Sequence, residues 1–130
     1  EFDYIVAADS GPAHMSKLSA TPGVAVYTAA PGEVLQGRFR NLARWTVPFE
    51  GPYCKAPCGL AKVRQTADGR VGCMGSLGVG LDELPDTPGG LRPDVVDRLN
   101  ATPVPCVRQL NDDPAPLIRF VEEDLARRLV

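Results

Sequence analysis

Apolar residues come in short runs near the N-terminus and at helical spacing near the C-terminus. Residues 4–8 (Tyr-Ile-Val-Ala-Ala) form a compact apolar run, the pattern of a strand buried on both faces of a parallel sheet. Asp9 and Ser10 follow as N-cap residues, Gly11 loosens the turn, and Pro12 suits the first helical position. Thr21-Pro22-Gly23 stops that helix, and residues 24–28 make a second strand. Residues 29–32 form a loop at the carboxyl end of this strand. Residues 33–36 fit one helical turn, and residues 44–47 a third strand closed by Pro48.

The middle of the chain is punctuated by turns. Residues 48–60 are turn-rich, and Asp68-Gly69 between residues 63–66 and 70–71 is a hairpin signal. Residues 81–84 suit a helical turn, and 85–90 form a break rich in Pro and Gly. Residues 93–99 fit a short helix with Val95, Val96 and Leu99 as its apolar positions. The last helix is the clearest: Pro116 opens it, and Leu117, Phe120, Val121, Leu125 and Leu129 form one apolar face. Glu123 and Arg127 stand at i,i+4 and can pair there. Strands alternating with helices predict the α/β class, as a Rossmann-like three-layer partial domain on a short parallel sheet. The predicted division is an α/β unit over residues 1–90 and a helical extension over 91–130.

Composition changes this picture little. The chain has 130 residues, 44% hydrophobic and 23% charged, which is enough apolar material for a core. Its net charge of −2 gives no reason to expect nucleic acid as a partner. Gly and Pro number 13 each, so much of the chain should be loop. No apolar run approaches the roughly 20 residues that span a bilayer.

The turn at residues 9–14 is the main candidate for chemistry. A strand–turn–helix junction places free amides and a helix N-terminus at the carboxyl edge of a sheet, where α/β proteins bind ligands. Gly11 permits close backbone approach, and the amides of Gly11, Ala13 and His14 would face an anion. His14 can donate to a phosphate or a sugar. Asp9 repels phosphate and suits sugar hydroxyls or a helix cap. The plainer reading is an ordinary helix start with a surface histidine.

These residues carry a resemblance. Asp9-Ser10-Gly11-Pro12-Ala13-His14, between a strand and a Thr21-Pro22 stop before a Val-rich strand, resembles the donor-site signature of the heptosyltransferase-type glycosyltransferases (family 9-like). Cys54-x-x-Pro57-Cys58 and Gly72-Cys73-Met74 are similar to cysteine segments that follow in that family. The resemblance spans residues 3 to about 85. It implies the C-terminal, donor-binding domain of a two-domain GT-B enzyme, with residues 9–14 against the diphosphate and sugar of a nucleotide-sugar. The implied partners are that donor, a glycan acceptor such as lipopolysaccharide, and an N-terminal domain that supplies the catalytic base. The implied setting is cytoplasmic, peripheral to the inner membrane, with no cofactor beyond the substrate. A chain of one-domain length that opens without Met in a strand is expected to be part of a longer enzyme, inactive alone. The sequence departs from the family at Lys17 and Ser19, which make the first helix more polar, and at the hairpin near Asp68.

Two clusters remain. Arg38, Arg40 and Arg44 could contact phosphates or an acidic acceptor, and the plainer reading is a solvated basic face. Cys54, Cys58, Cys73 and Cys106 do not match the usual zinc spacings. Reduced structural thiols are the first expectation and a metal or disulfide cluster of Cys54, Cys58 and Cys73 the second. The alternatives to a glycosyltransferase domain are a non-catalytic α/β ligand-binding or interaction module and a small cysteine-rich metal module.

Overall fold

A computed structural model describes residues 3–59, 72–78 and 93–128. The expected hairpin near Asp68, the helical turn at 81–84, the break at 85–90 and Leu129 lie outside those residues. Three parallel strands, β1 (Ile5–Ala8), β2 (Gly23–Tyr27) and β3 (Leu42–Thr46), form one sheet in the order β1-β2-β3. Helix α1 (Gly11–Ser16) connects β1 to β2, and α2 (Gly32–Gln36) connects β2 to β3. Three helices follow: α3 (Pro93–Ala101), α4 (Pro105–Asp112) and α5 (Ala115–Arg128). The chain is thus α/β, a parallel sheet flanked by helices.

The middle strand carries the core. Every residue of β2 is buried. Gly23 aligns with Ile5 on one side and Leu42 on the other, and the register continues to Val26–Ala8 and Tyr27–Thr46. A Cβ on Gly23 would overlap the carbonyl oxygen of Ile5, so this position needs glycine for its close approach.

The pleat separates two faces. Ala25, Tyr27 and Leu42 share one, with Ile5 and Leu35 packed against them. On this face the Tyr27 hydroxyl donates to Gln36 Oε1 at 2.8 Å, and the Gln36 amide donates to the carbonyls of Leu42 (2.8 Å) and Phe39 (3.2 Å). A fully buried Tyr–Gln pair is thereby satisfied. Alternation puts Tyr4, Val24 and Val26 on the other face. Helix α5 packs on β2 and β3 there, and its Asp124 accepts a 2.7 Å hydrogen bond from the Tyr4 hydroxyl.

Several expectations are corrected. Residues 4–8 do not form a strand buried on both faces: β1 is an edge strand of alternating exposure, and Val6 is 50% exposed. Its outer edge meets no further strand among the described residues, so its apolar run is only half covered. Arg127 does not pair with the Glu123 carboxylate; its guanidinium reaches the Glu123 carbonyl (3.3 Å) and the Asp124 carboxylate (3.5 Å). Asp124 is nearly fully buried and also takes Arg128 at 2.6 Å, so the inward-facing carboxylate wins both arginines. The apolar face of α5 is half-buried at Leu117, Phe120, Val121 and Leu125, and it docks within this chain.

Two predictions follow from this packing. Gly23→Ala should cost about 3 kcal/mol, the upper end for overpacking, because the obstacle is backbone; urea unfolding showing no loss would mean the strands can separate freely. Burial, then the Asp124 hydrogen bond and charge, push the Tyr4 phenol up to about 12. The folded state therefore keeps a proton that the unfolded chain releases near 10, so this contribution is intact below pH 10 and disappears as pH rises from 10 to 12. Tyr4→Phe should flatten that part of the stability–pH curve, and an unchanged slope would show that Tyr4 is not held by Asp124.

Candidate functional site

The parallel strands all present their carboxyl ends at one edge. The Asp9 amide donates to Val26 O at 2.9 Å, just past the end of β1, and the Val47 amide to Tyr27 O at 2.9 Å, just past the end of β3. A cavity of about 500 Å³ opens there. Ala8 and Asp9 contribute its β1 side, and Val26 and Thr28 its β2 side. Gly59 closes it from the loop, where its amide donates to Ala29 O at 2.8 Å. That glycine has φ of 77°, a left-handed conformation that disfavours side chains. Val107 and Leu110 of α4 form the outer wall.

This size suits a small-molecule ligand. The lining is apolar apart from one carboxylate, one hydroxyl and backbone groups, and among the described residues it holds no lysine or arginine. Such a surface can receive a neutral, hydroxyl-bearing part of a ligand: Asp9 accepts from hydroxyls, and Thr28 donates or accepts.

The turn itself differs from expectation. Ser10 occupies the N-cap position, but its hydroxyl donates back to Ala8 O (2.9 Å) and caps nothing. Asp9 does not cap either; its Oδ1 lies 3.3 Å from His14 Nε2. Pro12 has no N–H, and the His14 amide is spent on Ser10 O at 3.1 Å, inside the helix. Of the three amides expected to face an anion, the His14 amide is therefore taken. Ala13 is buried. A Cβ on Gly11 would meet nothing within 4 Å, so this glycine borders open space.

The His14 ring is committed on both sides. Besides Asp9, its Nδ1 lies 3.0 Å from Lys17 Nζ, and Lys17 also donates to Leu35 O at 2.6 Å. Lys17 is only 7% exposed. Donation from His14 to a phosphate or a sugar would therefore compete with these contacts. Asp9, His14 and Lys17 form one polar chain from the cavity wall into the α1–α2 interface. Asp9 also reaches Tyr27 electrostatically. Burial raises the Tyr27 phenol above its ordinary range, Asp9 adds to this, and Arg44 partly offsets it.

The arginines are split by topology. Arg38 and Arg40 lie between α2 and β3, on the return to the amino edge, the opposite end of the sheet from Asp9. Both are exposed. Arg44 sits mid-strand opposite Ala25 and is exposed as well. None of the three lines the cavity.

The cysteines do converge. Cys54, Cys73 and Cys106 are buried, Cys58 is half-buried, and none is in a disulfide. Gly72 donates to Tyr53 O at 2.6 Å, which sets Cys73 beside Cys54. Burial, and then the nearby Cys73, Cys106 and Cys58 thiols, push the Cys54 thiol up to about 11. Cys106 is raised for the same first reason. Among the described residues no three His, Cys, Asp or Glu side chains are arranged to hold a metal ion. Among the same residues no helix is long and apolar enough to cross a membrane.

Sequence reasoning found Asp9 and the loop after β2 but missed the outer wall. Helix α4 was not anticipated. Its signal was present: Pro105 opens it, and Cys106, Val107 and Leu110 recur at helical spacing. No family model, curated protein or solved structure matches the chain.

Iodoacetamide should distinguish the thiols. At pH 8 a thiol near 11 is ionised about one part in a thousand, so Cys54 should label far more slowly than half-buried Cys58. Peptide mapping that finds Cys54 labelled as fast as Cys58 would show that its surroundings are not dry.

Proposed function

We propose that this chain is the donor-binding α/β domain of a glycosyltransferase resembling the heptosyltransferases, and that it holds a nucleotide-sugar at the carboxyl edge of its sheet. The observation that carries the proposal is the cavity of about 500 Å³ at that edge, with Asp9 in its wall. A neutral sugar or ribose ring matches the lining: apolar surface for its C–H face, Asp9 and Thr28 for its hydroxyls. The diphosphate would sit toward the mouth beside Gly11, where backbone can approach closely. The catalytic base and the glycan acceptor, a lipopolysaccharide or other surface glycan, belong to an N-terminal domain facing this edge. The enzyme would work in the cytoplasm at the inner membrane surface.

One observation favours a second reading. His14 is occupied on both ring nitrogens, and no cation lines the cavity among the described residues. A domain that binds a neutral hydroxylated ligand without transferring anything would look the same.

Calorimetric titration with ADP-glucose and UDP-glucose, read alongside amide shifts, tests the proposal. Binding should move the resonances of Ala8, Asp9, Thr28 and Ala29. Asp9→Asn should weaken it about 10- to 100-fold, since a hydrogen bond to a charged group is worth about 1.5–3 kcal/mol. No shift at these four residues, or an unchanged affinity in the variant, would remove the donor-site reading. Binding with no transfer by the full-length enzyme would favour the second reading.

A further inference from the structure

We propose that Lys17 is a positioning residue for the cavity: through His14 it fixes the orientation of the Asp9 carboxylate that receives the ligand. The role rests on the donor-site reading above for its ligand, but not for its geometry. Lys17 is 7% exposed and sits 2.6 Å from Leu35 O and 3.0 Å from His14 Nδ1. The Leu35 carbonyl can only accept. An ammonium has three donors and no lone pair, so His14 Nδ1 must accept as well. A neutral imidazole with Nδ1 as acceptor carries its proton on Nε2. That nitrogen lies 3.3 Å from Asp9 Oδ1. The imidazole thus stands beside one carboxylate oxygen of Asp9, a residue that lines the cavity.

The direction of dependence follows from burial. Lys17 is the most enclosed of the three, while the side chains of His14 and Asp9 keep 49% and 28% of their exposure. A half-exposed imidazole on a six-residue helix would otherwise rotate and exchange tautomers. The two donors of Lys17 remove that freedom, and the Leu35 carbonyl of α2 anchors them to the next helix. The carboxylate–imidazole–ammonium chain therefore transmits the packing of α1 on α2 to the cavity wall.

The chain contains a single histidine, so its imidazole nitrogens can be read without ambiguity. In ¹⁵N long-range correlation spectra of the neutral ring, wild-type protein should show the Nε2-protonated tautomer alone. A ring protonated on Nδ1, or a mixture, overturns the proposal without any variant. Lys17→Met keeps the length and apolar stem but removes the donors. It should shift the imidazole nitrogens toward a tautomer average and weaken ADP-glucose or UDP-glucose binding about 10-fold. The double variant Lys17→Met/Asp9→Asn should lose no more affinity than Asp9→Asn alone, because Lys17 acts only through that carboxylate. Additive losses would mean that Lys17 merely supports the fold. If neither nucleotide-sugar binds the wild type, the donor-site reading fails, while the tautomer of His14 still decides whether Lys17 holds the ring.

Discussion

Burial of β2 on both faces and along both edges is the constraint from which the arrangement of the other elements follows. Its flanks are occupied by β1 and β3, one face by α2 and the other by α5. Apolar side chains taken wholly from water contribute roughly 1.5–3 kcal/mol each, and Val24, Val26 and Tyr27 lie on this one strand. The polar cost of so dry a strand is met locally. The hydroxyl of Tyr27 finds Gln36, and Gln36 finds two carbonyls beside β3. Gln36 thus ties α2 to both neighbouring strands, which fixes the βαβ geometry from the inside. The close approach at Gly23 completes it, since a side chain there would push β1 away at the amino end of the strand pair.

The βαβ core was legible because its signals are local. Pro12 and the Val-rich run of β2 act within a few residues, and the strands fell within one or two residues of their expected bounds, whereas α1 ends at Ser16, well before the Thr21-Pro22 stop. The status of β1 was not legible. An apolar run of four or five residues looks the same whether it is central or at an edge, and only pairing decides. Helix α4 was hidden for a different reason: its apolar positions are few and Val107 is 38% exposed. It is placed by the cavity it closes and by buried Cys106, contacts far apart in sequence.

For the site, the residue types were legible and their partners were not. Asp9 and His14 were singled out as a pair facing a ligand. In the fold they face each other, because Asp9 precedes the extended N-cap Ser10 and the first turn of α1 brings the His14 ring back beside it. The arginines illustrate the limit of proximity in sequence. Arg38 and Arg40 follow the ligand-edge loop by only a few residues, but α2 carries the chain to the opposite edge before they occur. The cysteines show the converse: Cys54, Cys73 and Cys106 are separated by long stretches and share one buried neighbourhood, where burial raises the Cys54 and Cys106 thiols above their ordinary range.

A six-residue helix such as α1 is far below the length at which helices persist by themselves in water. Its place depends on contacts at both ends. At the carboxyl edge Asp9 meets His14, and toward the amino edge the Asn41 amide reaches Ser16 O (2.7 Å) and Thr21 O (3.0 Å). Lys17 adds the link to α2. These polar contacts are what hold the helix, and one of them holds the cavity's carboxylate. The orientation of Asp9 and the stability of α1 are therefore one property seen at two ends. On the proposal that Asp9 receives a ligand, a substitution along this chain would change the receiving surface even where it touches no ligand, and a ligand that engages Asp9 would stabilise α1 by the same coupling.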